Sequence, residues 1–108
     1  MEQEKNILQI TGLDNIVEHL NNKLDYIIDD QSSNLSAGQK QRLGLCRALY
    51  LEPPIVILDE ATNAIDKISE MKIYQNLKRH LKETTFIIVT HNKDIKELCQ
   101  NNFVFEKI

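Results

Sequence analysis

The spacing of hydrophobic and polar positions changes several times along the chain, and each change predicts an element. Residues 2–10 read as a short helix, which Gly12 is placed to end. Asp14 can cap a second helix that carries Ile16, Val17 and Leu20 on one face. Residues 21–34 mix turn formers with a short apolar patch, Tyr26-Ile27-Ile28, and read as a loop with some extended character. A helix over 38–51 follows, with Leu45, Cys46, Ala48 and Leu49 as its expected buried side, and Pro53 and Pro54 stop it. Ile55-Val56-Ile57-Leu58 is an unbroken apolar run closed by two acids, as expected of a parallel strand covered on both faces. Ile68, Met71, Tyr74, Leu77 and Leu81 then recur at helical spacing over 67–82. Residues 85–90 form a second strand rich in β-branched and aromatic side chains. Asn92 can cap a short helix to Cys99, and Phe103-Val104-Phe105 reads as a last strand.

Strand, helix, strand, helix, strand is the order of a parallel sheet with right-handed crossovers, so the expected class is α/β. With 108 residues the chain has room for one ordinary domain and a small core. A formal net charge of -3 argues against a nucleic-acid partner, which calls for a basic surplus. Cys46 and Cys99 stand far apart without metal-ligand spacing, which fits a reducing compartment rather than a disulfide or zinc scaffold. No stretch approaches the roughly 20 apolar residues of a membrane span, and no charged-then-apolar leader is present. Any membrane role is expected to come through a partner or a further segment.

Three places carry candidate chemistry. Ser36 and Gln39 make a capping box at the start of the helix over 38–51. Such a terminus, with Gly38 in its first turn, also presents free amides and a positive dipole end to an anion, and the Ser36 hydroxyl can join them. Asp59 and Glu60 stand at the carboxyl end of a strand, where open α/β sheets gather ligands. Adjacent acids on a strand point to different sides and suit different roles. His91 stands at the end of the next strand; His19 and His80, within predicted helices, receive no role.

In order along the chain, these segments resemble the ABC transporter ATP-binding domain. Leu35-Ser36-Ala37-Gly38-Gln39, continued through Gln41-Arg42 to Arg47-Ala48-Leu49, is similar to the family's signature helix. Ala37 stands where the first signature glycine is usual, and Cys46 where alanine is. Residues 55–60 resemble a Walker B strand, Ala61-Thr62-Asn63-Ala64-Ile65-Asp66 a D-loop, and His91 an H-loop histidine. The resemblance implies Asp59 as the magnesium residue, usually through water, and Glu60 as the group that orients or deprotonates the attacking water. It implies that His91 donates a hydrogen bond toward the γ-phosphate and that Asp66 contacts a facing subunit while capping its own helix. Ser36, Gly38 and Gln39 would serve a nucleotide held by that facing domain. ATP and Mg2+ are the implied cofactors, expected only in the complete domain pair.

None of the three glycines, Gly12, Gly38 and Gly44, lies in the glycine, lysine and hydroxyl pattern of a P-loop. The chain is therefore read as the C-terminal half of an exporter-like domain of the P-loop NTPase (RecA-like) fold. Residues 1–52 would be a helical-subdomain remnant ending in the signature helix, and 53–108 part of the ATPase core. Alone it is expected to hydrolyse no ATP and to self-associate through exposed sheet. In a complete transporter it would sit in the cytoplasm at the inner face of the membrane. There it would pair with a second ATPase domain or another copy and with a transmembrane domain. The alternative is a non-enzymatic truncated module that pairs with or regulates a full-length ATPase; a third reading is a soluble family member of DNA repair or translation.

Overall fold

The computed structural model describes residues 2–13 and 35–103, with side chains from Asn6 onward. The helix expected after Asp14, the segment 21–34, and Val104 and Phe105 of the expected last strand lie outside these residues; Phe103 is exposed and in no strand.

Helix α1 (Glu2–Thr11) ends as its sequence predicts. Gly12 takes φ +77°, the left-handed region that glycine enters without a Cβ penalty. The Leu13 amide then donates to the Leu8 carbonyl (2.9 Å) and the Gly12 amide to Gln9 (3.3 Å), the paired closure of a Schellman motif. Leu13 is fully buried by this turn. Helix α2 (Ala37–Leu49) starts on the predicted capping box and buries Leu45 and Leu49, with Cys46 half-buried. Ala48 is exposed, against expectation, because the face that meets α1 is narrower than the apolar run around it.

Strand β1 (Ile55–Asp59) pairs in parallel with β2 (Thr85–Val89), Ile55 opposite Thr85 through Asp59 opposite Val89. Helix α3 (Lys67–His80) makes the crossover, and the six-residue α4 (Lys93–Leu98) follows β2. Asp66 caps α3 through the Ser69 amide (3.0 Å), and Asn92 caps α4 through the Asp94 amide (2.9 Å).

Two corrections concern burial. Val56 and Leu58 are buried, but Ile57 is 67% exposed and Ile87 51%, so the described residues cover one face of the sheet only. On α3 the buried stripe is Glu70, Ile73, Tyr74 and Leu77, and Ile68 is 73% exposed. Tyr74 and Leu77 are thus buried as read from sequence, and Met71 and Leu81 pack half-buried against the core; Ile68 falls outside the stripe, which has a carboxylate inside it. The core joins Ile7 and Ile10 of α1, Leu45 and Leu49 of α2, Val56 and Leu58 of β1, the apolar residues of the α3 stripe, and Ile95 of α4. Asn76 donates to the Ile10 carbonyl (3.4 Å) and ties α3 to the end of α1.

This stripe predicts that Leu77→Ala lowers unfolding free energy by about 2–5 kcal/mol through the cavity it leaves. Ile68→Ala stays within about 0.5 kcal/mol of the parent. Urea denaturation of the two variants checks it, and equal losses would contradict this difference in burial. A second prediction concerns acid. The amide and hydroxyl of Ser69, and then the nearby Arg42 guanidinium, hold the Asp66 carboxyl below its ordinary 3.8. Because the folded value is lowered, the cap's charge-dependent contribution is present above 3.8 and disappears as pH falls through the folded value. Asp66→Asn keeps a capping acceptor but removes the titration. The stability difference between parent and variant should therefore shrink in denaturation curves taken from about pH 5 down to about pH 2.

Candidate functional site

The parallel register brings the exits of β1 and β2 to the same end of the sheet, since Asp59 is opposite Val89. The Glu60 amide extends the ladder by donating to the Val89 carbonyl (2.9 Å). Glu60 itself has φ +49°, the left-handed region, which costs a non-glycine residue on the order of 1 kcal/mol. Glu52, in the turn before Pro53, shares that conformation, so the sign of φ alone does not mark function. What distinguishes Glu60 is its partner: Oε1 lies 3.0 Å from Nε2 of His91. Two residues predicted from separate strands thus meet at one point, exposed to solvent.

Asp59 ends β1 on the same side as Ile55 and Ile57 by strand alternation, so its carboxylate opens onto the uncovered sheet face. Among the described residues no group of three or more His, Cys, Asp and Glu side chains could hold a metal by itself. Mg2+ keeps waters and takes one or two carboxylates together with substrate phosphates. Asp59, on the uncovered face, is the carboxylate that could supply such a ligand, while Glu60 is engaged with His91.

At the start of α2, Ser36 Oγ accepts from the Gln39 amide (3.1 Å) and Gln39 Oε1 accepts from the Ser36 amide (2.9 Å). The box therefore uses the Gln39 amide that an anion would otherwise find. The Ala37 and Gly38 amides keep no intrahelical carbonyl partner, the Ser36 hydroxyl keeps its proton, and the Gln39 Nε2 is not part of the box. These donors gather at one exposed terminus at the positive end of the helix dipole.

Gly38 has a further constraint that the sequence does not announce. A Cβ built there would stand 3.0 Å from the Ala64 carbonyl oxygen and 3.7 Å from Ile65 Cγ1. The same loop is held from α2 by Gln41, whose Nε2 donates to Asn63 Oδ1 (2.6 Å) and whose Oε1 accepts from the Ala64 amide (2.8 Å). The segment 61–66 is thus pressed against and clamped to the first turns of α2. Asp66 closes the segment as the exposed cap of α3, its carboxylate turned to its own helix.

A second group, also not singled out from sequence, lies beneath the loops. Glu70, 7% exposed, accepts through Oε2 from the Thr62 hydroxyl and through Oε1 from Asn92 Nδ2 (2.7 Å). Thr62 Oγ1 also lies 3.2 Å from the Tyr74 hydroxyl, whose pKa is raised by burial. The helical spacing of Glu70 with Ile73, Tyr74 and Leu77 was the available signal, since it places an acid in an apolar stripe.

Residues 2–63 match the family described as ABC transporter. The chain is 35% identical over 106 residues to an ATP-dependent lipid A-core flippase of Ralstonia nicotianae, covering 98% of this chain and 18% of that protein. It is 38% identical over 91 residues to the alpha-hemolysin translocation ATP-binding protein HlyB of Escherichia coli, covering 84% and 13%. A solved bacterial Atm1-family ABC exporter with ATP bound superposes with a TM-score of 0.75 at 26% identity, over 85% of this chain and 16% of that one. The chain therefore spans less than a fifth of the length of these relatives. On this coverage and identity the chain belongs to the ABC transporter family and is similar to the ATP-binding domain of its exporters.

Proposed function

We propose that the chain supplies part of an ATP-hydrolysing clamp that drives an exporter. The observation that carries the reading is the meeting of Glu60 and His91 at 3.0 Å beyond two parallel strands. Phosphoryl transfer to water asks a protein for positioning and charge rather than covalent chemistry. In this reading Glu60 orients or deprotonates the attacking water, and the His91 imidazole donates toward the γ-phosphate. Asp59 would hold Mg2+, which would supply positive charge to the phosphate oxygens when bound. Ser36, Gly38 and Gln39 present their donors to the nucleotide of a facing domain, and Asp66 lies at the contact with it. Residues 1–52 carry the signature side of the clamp and 53–108 the Walker B and H-loop side.

Because no P-loop pattern occurs in this sequence, the phosphate cradle has to come from another polypeptide segment. A transmembrane domain is the proposed recipient of the work, which places the assembly at the cytoplasmic face of a membrane. No helix of the described residues is long and apolar enough to cross one.

Mixing the chain with a polypeptide carrying the P-loop half of an exporter-type domain tests the reading. Mg2+-dependent ATP hydrolysis is expected in the mixture and absent from the chain alone. Glu60→Gln should lower it by at least about a hundredfold, the range of a lost general base. Turnover by the chain alone that Glu60→Gln abolishes, or turnover of the mixture indifferent to that substitution, would contradict the proposal.

The uncovered sheet face supports a second reading, an interaction module that pairs with a full ATPase domain or another copy. Ile55, Ile57, Ile87 and Val89 form an apolar surface there, and among the described residues the two strands leave both outer edges unpaired. Light scattering should find species larger than the 12.5 kDa monomer, and Ile57→Lys should return them to monomer. A monodisperse parent monomer at high concentration would count against this surface.

A further inference from the structure

We propose that Glu70 is a positioning residue that makes the 61–66 loop and the His91 turn a single mechanical unit. The proposal deepens the clamp reading, in which the first segment faces a partner domain and the second faces the γ-phosphate. Thr62 and Asn92 lie on different loops, and each gives its side-chain donor to a different oxygen of the one Glu70 carboxylate. A carboxylate accepts at both oxygens, so it can take both donors in opposed directions at once. Tyr74 completes the chain: with the Thr62 proton committed to Glu70, the Tyr74 hydroxyl is left to donate to Thr62 Oγ1.

Asn92 is also the cap of α4, its Oδ1 accepting from the Asp94 amide (2.9 Å). Its amide therefore fixes the turn that carries His91 from two directions, one oxygen to α4 and one nitrogen to Glu70. On the other side, Gln41 and Gly38 hold Asn63 and Ala64, the residues next after Thr62. A displacement imposed on residues 63–66 consequently reaches His91 through Thr62, Glu70 and Asn92, with Glu70 held in place by the core around Ile73 and Leu77. Burial strengthens each of these hydrogen bonds and makes a half-satisfied state costly, which favours movement together.

The network also predicts which replacement preserves it. In Glu70→Gln the amide oxygen accepts from Asn92 and the amide nitrogen donates to Thr62 Oγ1. The Thr62 proton then turns to Tyr74 and the Tyr74 proton is released from the chain, but both loops keep a hydrogen-bond partner at position 70. Glu70→Ala leaves both loops without their common acceptor.

Amide NMR of the full chain provides the test. Thr62→Val is nearly isosteric, and Asn92→Ser keeps a capping oxygen but withdraws the reach to Glu70. Thr62→Val is expected to shift the amide resonances of His91 and Asn92, and Asn92→Ser those of Thr62 to Ile65. Exchange of the 62–65 amides should quicken about tenfold in Asn92→Ser, the effect of losing one buried hydrogen bond. The cross-perturbation should persist in a Glu70→Gln background and vanish in Glu70→Ala. Unmoved His91 resonances in Thr62→Val, or Glu70→Gln behaving like Glu70→Ala, would overturn the proposal. If Glu70→Ala fails to fold, the other three variants still decide. No nucleotide is involved, so failure here is distinct from failure of the ATPase reading.

Discussion

Parallel pairing of β1 with β2 is the constraint on which the candidate site depends. Parallel strands require a crossover, and α3 supplies it by packing Ile73, Tyr74 and Leu77 into the core. Once the register sets Asp59 opposite Val89, the next residues of both strands must leave the sheet side by side. Glu60 and His91 meet for that reason and not because either has a strong local preference for the other. A slip of one residue would exchange Val56 and Leu58 for Ile55 and Ile57 on the core face and carry Glu60 away from His91. Burial of two side chains on one strand thereby secures the position of a catalytic candidate at its tip.

Legibility in the sequence followed the range of the interactions. The capping box at Ser36, the stop at Gly12 and the cap at Asp66 depend on neighbours within a few residues, the two strands show as contiguous apolar runs, and the structure has them where the sequence reading puts them. The stripe on α3 was read rightly at Met71, Tyr74, Leu77 and Leu81 and wrongly at its start, because Ile68 is apolar and Glu70 is charged and a hydrophobic count follows those labels. The structure inverts both: Ile68 faces outward while Glu70 is buried. What makes Glu70 tolerable inside is the pair of donors from Thr62 and Asn92, distant in sequence and invisible to a periodicity argument. Gln41 was missed for the same reason, its partners Asn63 and Ala64 being reached only through the fold.

The run Ile55-Val56-Ile57-Leu58 teaches a different lesson. Its lack of alternation correctly signalled a strand of the parallel kind, yet the described structure covers only the Val56 and Leu58 side. The exposed isoleucines are thus a record of an environment that the described residues do not supply. Alternating polar residues would have served a face meant for water. The chemical ledger agrees with the apolar one, because Asp59 ends that same uncovered side. A surface that lies against the open face would meet the apolar strip and the Asp59 carboxylate together.

The segment from Gly38 to Asp66 shows how one residue answers to two requirements. Gly38 lies at a helix start where bare amides suit an anion, and it also leaves room for the Ala64 carbonyl. A methyl group at 3.0 Å from that oxygen would have to push the loop outward. The loop cannot yield freely, since Gln41 holds both Asn63 and the Ala64 amide. Ala37, one residue earlier, already carries such a methyl and is exposed, pointing to solvent rather than to the loop. The glycine requirement is therefore local to Gly38 and is explained by backbone proximity before any ligand is considered. An anion at the terminus would add a second reason, acting through the Ala37 and Gly38 amides rather than through the space that Gly38 leaves.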